Sequence, residues 1–97
     1  MASVNLAFQV LPKSDGGNTY EIVDKAIEIV QQSGVKYEVG AMETVMEGEL
    51  DELLDIVKRA QDACIKAGAF EVMTHMKIHY RPVEGVTIDE KLKKYRA

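Results

Sequence analysis

Alternating apolar and polar side chains near the N-terminus predict the first strand. Val4, Leu6, Phe8 and Val10 occupy every second position, with small or polar residues between most of them. A period of two is typical of a strand that buries one face. Pro12 predicts the end of this strand, since proline cannot donate a backbone hydrogen bond to a neighbouring strand.

Two later segments have apolar residues at helical spacing, and each stops at a glycine. A predicted capping box of Asn18 and Glu21 begins the first helix, which ends at Gly34. The second helix is predicted from Leu50 to Gly68. The apolar stripes are Ile22, Val23, Ala26, Ile27 and Val30 in the first helix, and Leu50, Leu53, Leu54, Val57, Ala60 and Cys64 in the second.

Three further strands are predicted, from Val35 to Val39, from Met42 to Glu47 and from Phe70 to Tyr80. The element order is then strand–helix–strand twice over, with two similar halves. Such a repeat predicts an α+β ferredoxin-like βαββαβ sandwich, a four-stranded antiparallel sheet with two helices on one face. A capping box of Thr87 and Glu90 adds a short C-terminal helix. We expect residues 1–97 to form a single ferredoxin-like domain.

Two helices cover only one face of such a sheet, so the other face is predicted to be bare. The residues expected on that open face are Asn5, Ala7, Gln9, Leu11, Met73, His75, Lys77 and His79. Which side of the third strand faces the helices stays undecided, because its apolar residues fall on both sides. A mixed apolar and polar face is typical of a surface that meets another subunit or a ligand. We therefore expect a homo-oligomer formed through the sheet.

Composition excludes several classes of function. The net charge is −4, which argues against nucleic acid and an anionic membrane surface as partners. Cys64 is the only cysteine, so an internal disulfide is impossible and a reducing compartment fits. The N-terminal residues carry no signal-peptide pattern, and no apolar run approaches the roughly 20 residues that span a bilayer. A cytoplasmic location is expected.

The candidate chemical groups do not assemble into a reactive site. His75 and His79 lie about 13 Å apart on a strand, which excludes a metal shared within one chain. Glu43 and Glu47 have the same spacing, too wide for a two-carboxylate acid–base pair. No nucleophile or phosphate-loop motif is present, and Cys64 falls on the apolar stripe of a helix. We expect no metal site and no enzymatic activity.

One segment resembles a known family signature. It is the stretch Tyr37-Glu38-Val39-Gly40-Ala41-Met42-Glu43-Thr44-Val45-Met46-Glu47-Gly48, which is similar to the central motif of the YkoF-like thiamine-binding protein family. The strand Thr74 to Arg81 and the position of Pro12 are also similar to that family. The resemblance covers Ser3 to Tyr95. It departs at Ala41, where the family commonly has proline, and at Glu43, where glycine is common.

The resemblance implies a non-catalytic cytoplasmic protein that binds thiamine or its hydroxymethylpyrimidine part as a small-molecule ligand, with no other cofactor. It also implies dimers that pair into tetramers through their sheets. Thr44 and Glu47 carry over from the family motif as ligand-binding residues. Gln9, His75 and Lys77 are added from the open-face prediction. The alternative is a structural or regulatory oligomer whose open face serves only self-association, with no natural small ligand.

Overall fold

The computed structural model describes residues 2–96. Its elements follow the predicted order of strands and helices. They are β1 (Val4–Lys13), α1 (Thr19–Gln32), β2 (Lys36–Val39), β3 (Thr44–Gly48), α2 (Leu50–Lys66), β4 (Glu71–His79) and α3 (Ile88–Leu92), with a 3-10 turn at Lys93–Tyr95.

The four strands form one antiparallel sheet in the order β2-β3-β1-β4. This confirms the predicted ferredoxin-like α+β fold. The two strands next to β1 pair with it over different lengths. β4 pairs with it from Asn5 to Lys13, whereas β3 pairs with it only from Val4 to Phe8. The second half of β1 therefore lacks a strand neighbour on the β3 side.

The core lies between one face of the sheet and the two long helices. The predicted inward residues of β1 are all buried: Val4, Leu6, Phe8 and Val10. Ile22, Ala26 and Val30 of α1 and Leu53, Ile56, Val57, Ala60 and Cys64 of α2 complete the same core. Burial raises the pKa of the Cys64 thiol, which fits its predicted place in the apolar stripe.

The pairing register decides the orientation of β3, which the sequence left open. Thr44 pairs with Phe8 and Met46 with Leu6, so both face the helices and both are buried. Val45 pairs with Ala7 and Glu47 with Asn5, which places them on the opposite face. On β4, His75 and Lys77 lie on that opposite face beside Gln9 and Ala7.

The local signals for helix ends were mostly right. Gly34 and Gly68 follow α1 and α2 with positive φ angles of 87° and 116°. The capping box of Thr87 and Glu90 is confirmed at α3. The capping box predicted at Asn18 is wrong, because the Asn18 side chain makes no cap bond and instead accepts a hydrogen bond from the Ser14 hydroxyl at 2.9 Å.

The C-terminal segment, residues 82–96, covers one end of the open face, so the prediction of a wholly bare face is wrong. The Val86 N–H donates to the Ser3 carbonyl at 2.9 Å, and the Asn5 amide donates to the Val86 carbonyl at 3.3 Å. Val86, Ile88 and Asn5 are all buried as a result. The prediction failed because it gave the third helix no position on the sheet.

The turn between β2 and β3 generates a prediction about Gly40. Its N–H donates to the Glu43 carbonyl at 2.9 Å, and an added Cβ would lie 2.8 Å from that oxygen. Gly40→Ala should therefore open the turn and lower the free energy of unfolding by about 1–3 kcal/mol in urea denaturation. Gly16→Ala is the control, since its Cβ would meet only Asn18 at 3.4 Å. Equal stability of the two variants would contradict this account of the turn.

Candidate functional site

A cleft of about 680 Å³ lies where β1 extends beyond its pairing with β3, between β1, α1 and the β2–β3 turn. We call it the β1–α1 cleft. Phe8, Val10 and Pro12 of β1 give it apolar surface. The turn residues 40–43 border it. The cleft therefore follows from the unequal strand lengths together with the turn that folds back beside them.

One face of α1 forms the opposite wall of the β1–α1 cleft. Tyr20, Val23, Asp24 and Ile27 line it. Their spacing of three and four residues places them along one side of a helix. Tyr20 is 89% exposed, so most of its ring is free to contact a ligand at the opening. The wall thus combines aliphatic surface with one aromatic ring and one carboxylate.

The polar side chains inside the cleft offer a hydroxyl and a carboxylate, and Gln9 borders it. Thr44 is only 6% exposed and lines the cleft from the start of β3, and Gln9 lines it from β1. Asp24 brings negative charge, whereas the carboxylate of the bordering Glu43 pairs with Lys77 on the open face. Within residues 2–96, no lysine, arginine or histidine lines this cleft. The arrangement suits a ligand with apolar rings, hydrogen-bonding groups and a positive charge.

A second, shallower pocket of about 430 Å³ lies on the open face beside β4. It contains the predicted residues Gln9, His75 and Lys77. The Lys77 ammonium lies 2.9 Å from a Glu43 carboxylate oxygen, so this lysine pairs with a carboxylate of its own chain. Gln9 and Glu43 border both pockets, which makes them the link between the open face and the β1–α1 cleft.

Glu47 lies apart from both pockets. Its carboxylate accepts a hydrogen bond from the Ile88 N–H at 2.5 Å, at the first turn of α3. A carboxylate there satisfies a backbone donor that the helix itself leaves unpaired. The structure therefore places Thr44 in the β1–α1 cleft and Gln9, His75 and Lys77 in the open-face pocket, and it separates Glu47 from Thr44.

Ion pairs hold the C-terminal segment beside β2. The Asp89 carboxylate accepts from Lys36 at 2.6 Å and from Arg96 at 2.9 Å, and Arg96 also donates to Glu38 at 2.9 Å. The hydrogen bond from Lys36, followed by that from Arg96, holds the pKa of Asp89 below its ordinary value. The Asp89 hydrogen bond is also the first cause of the raised pKa values of Lys36 and Arg96. These contacts fasten the segment to the sheet.

Sequence reasoning missed Tyr20, Asp24 and Met42, which all border the β1–α1 cleft. A usable signal existed for the first two. Both lie within four residues of Val23 or Ile27 on α1, so they flank the apolar stripe on its sheet-facing side. Met42 lies in the turn, so the prediction that the third strand begins at Met42 is wrong, because β3 begins at Thr44. Among residues 2–96, no group of three histidine, cysteine, aspartate or glutamate side chains is placed to hold a metal ion.

The fold and the cleft define a small ferredoxin-like domain with a largely apolar cleft of ligand size. Comparison with known families is more specific: the model of the family described as "Thiamine-binding protein" matches residues 6–96. The chain belongs to this thiamine-binding protein family, which confirms the family resemblance seen in the sequence. None of the helices within residues 2–96 combines the length and apolar character needed to cross a bilayer.

Relatives and solved structures agree with the family. A UPF0045 protein of Clostridium perfringens is 50% identical over 96 residues, covering 99% of this chain and 100% of that protein. A Bacillus cereus domain of unknown function superimposes with a TM-score of 0.95 at 65% identity, covering 98% of this chain and 91% of that one. A Thermotoga maritima protein, provisionally named for thiamine biosynthesis or salvage, gives a TM-score of 0.87 at 36% identity, covering 97% and 99%.

The position of Glu47 generates a test of its role. Glu47→Ala removes the acceptor of the part-buried Ile88 N–H, so the free energy of unfolding should fall by about 1–3 kcal/mol. Backbone amides of residues 86–92 should exchange hydrogen faster, as measured by mass spectrometry. Glu49→Ala is the control, because Glu49 precedes α2 without a side-chain cap bond. Unchanged exchange in Glu47→Ala would contradict an anchoring role.

Proposed function

We propose that this protein binds thiamine, or its hydroxymethylpyrimidine part, in the β1–α1 cleft and catalyses no reaction on it. The observation that carries the proposal is the lining of the cleft, which joins apolar walls, the Thr44 hydroxyl and the Asp24 carboxylate without a basic side chain. The family match and the provisional name of the Thermotoga maritima neighbour support the same ligand. A cytoplasmic location remains part of the proposal.

The chemistry of thiamine fits the groups in the cleft. Its thiazolium ring carries a positive charge, which Asp24 attracts. The exposed ring of Tyr20 offers a π face to the same cation. Its aminopyrimidine ring needs apolar walls, which Phe8, Val10 and Pro12 offer, and hydrogen-bonding partners, of which the Thr44 hydroxyl is one.

The five predicted site residues differ in their relation to the ligand. Thr44 contacts the ligand directly, and Gln9 borders both pockets with its side chain on the open face. Lys77 acts through its ion pair with Glu43, which holds that carboxylate at the border of the cleft, and His75 belongs to the open-face pocket next to it. Glu47 positions the C-terminal segment. The roles given to the cleft residues are hydrogen bonding, packing and charge attraction, which are sufficient for binding without catalysis.

We also propose that two or more copies associate through the uncovered half of the open face. Leu11 is 42% exposed and Met73 is 53% exposed, and they pair with each other across β1 and β4. Ala7 and Val45 continue this surface across the sheet. Two such surfaces in contact would remove apolar area from water, while the C-terminal segment restricts contact to the opposite end of the sheet.

Thiamine binding tests the proposed ligand. Titration of the full chain by calorimetry should detect binding, and saturating thiamine should raise the melting temperature, because the ligand binds only the folded state. Thr44→Val, which keeps the shape but removes the hydroxyl, should weaken binding about three- to tenfold. Thr44→Ser, which keeps the hydroxyl, is the matched control. Absence of binding by thiamine and hydroxymethylpyrimidine, with the oligomer intact, would favour the ligand-free structural or regulatory alternative.

Sedimentation velocity tests the proposed oligomer. The full chain has a mass of 10.8 kDa and should sediment as a dimer or tetramer. Met73→Glu, which places a charge in the open face, should shift the protein toward the monomer. Ile65→Glu is the control, because Ile65 is an exposed residue of α2. A monomeric wild-type protein, or equal behaviour of the two variants, would disprove association through this surface.

A further inference from the structure

The run of β1 residues along the β1–α1 cleft is consecutive, from Phe8 to Pro12. A strand that presented only one face would contribute every second residue. A consecutive run indicates that the backbone edge of the strand also borders the cavity. The register explains why: β3 pairs with β1 as far as Phe8, whereas β4 continues to Lys13.

The direction of each peptide group follows from the ladder. In an antiparallel sheet, the N–H and C=O of one residue point to the same neighbour, and the next residue points to the other neighbour. The Lys13 carbonyl accepts from the Phe70 N–H at 2.9 Å, on the β4 side. The backbone N–H and C=O of Leu11, two residues earlier, therefore also point toward β4. The backbone groups of Val10 and Pro12, which alternate with them, point to the other side, where β3 is missing.

This unpaired edge offers one donor and two acceptors to the cleft. Val10 supplies an N–H and a C=O, whereas Pro12 supplies only a C=O because its ring replaces the N–H. A strand tolerates proline where no ladder bond is lost, which agrees with this direction. Within residues 2–96, the β1–β3 ladder does not extend to Val10 or Pro12. Both residues are nevertheless buried.

Buried backbone groups in folded proteins nearly always have a hydrogen-bonding partner. The occupant of the cleft is therefore expected to carry an acceptor next to a donor. The edge of a 4-aminopyrimidine has this arrangement, because a ring nitrogen that accepts lies beside an amino group that donates. A flat ring in this place would form the two hydrogen bonds with Val10 that a residue of a longer β3 would otherwise form.

We propose that the backbone edge of Val10 selects the aminopyrimidine ring of the ligand. The Val10 N–H donates to a ring nitrogen, and the Val10 carbonyl accepts from the exocyclic amino group. The Pro12 carbonyl is a second acceptor within the same edge. This inference rests on the proposed function and adds the atoms that discriminate the pyrimidine from other ring systems. Because these atoms belong to the backbone, substitution of the Val10 side chain would not remove them.

The test compares two ligands on the full chain. Thiamine is titrated against its 4-oxo analogue, in which a carbonyl oxygen replaces the amino group and the adjacent ring nitrogen carries a proton. This exchange reverses both hydrogen-bonding groups and leaves the thiazolium cation unchanged. We expect the analogue to bind at least about tenfold more weakly in calorimetry, because both polar contacts become repulsive.

Nuclear magnetic resonance of the backbone amides locates the contact. On saturation with thiamine, the Val10 amide should shift and become protected from hydrogen exchange. The Leu11 amide is the matched control, since it already faces β4, where Leu11 pairs with Met73. Equal affinity for the two ligands, or an unchanged Val10 amide in the thiamine complex, would overturn the inference and leave the proposed function standing. Absence of thiamine binding would overturn both.

Discussion

The unequal pairing of β1 is the constraint on which the rest of this site depends. β4 pairs with β1 as far as Lys13, but β3 pairs with β1 only as far as Phe8, because the turn at residues 40–43 precedes β3. The close approach of Gly40 to the Glu43 carbonyl makes so early a turn feasible. A longer β3 would fill the β1–α1 cleft with backbone. The proposed ligand site is therefore a place where β1 has no strand neighbour on one side.

The two faces of the sheet serve different purposes in this account. The helix-covered face holds the core and, beyond the end of β3, the β1–α1 cleft with the Asp24 carboxylate. The open face is divided between the C-terminal segment and a surface of mixed polarity. Glu43 connects the two, since it borders the cleft and pairs with Lys77 on the open face. Association through the open face would thus act on a residue that borders the ligand site.

Much of the fold was predictable from local patterns. Period-two alternation located β1, helical spacing and terminal glycines located α1 and α2, and the repeated order implied the topology. The orientation of β3 was not predictable, because Val45 and Met46 are both apolar and only pairing with β1 distinguishes them. The position of the C-terminal segment depends on long-range contacts such as Glu47 with Ile88, which sequence spacing does not encode.

The site was predictable only in part. Thr44 and Glu47 were grouped by a sequence motif, yet an odd separation on a strand places side chains on opposite faces. That rule alone would have divided them. Gln9 was chosen for the open face and also borders the cleft. Tyr20 and Asp24 flank the apolar stripe of α1, which the sequence shows, but only the tertiary structure places that side of α1 against the free end of β1.

A crystal structure of the protein with thiamine tests the central claim most directly. The account predicts that the ligand lies in the β1–α1 cleft, with its pyrimidine ring against β1 and near Thr44 and its thiazolium ring near Asp24 and Tyr20. A ligand bound instead in the open-face pocket beside His75 and Lys77, or an empty cleft at a saturating thiamine concentration, would contradict it.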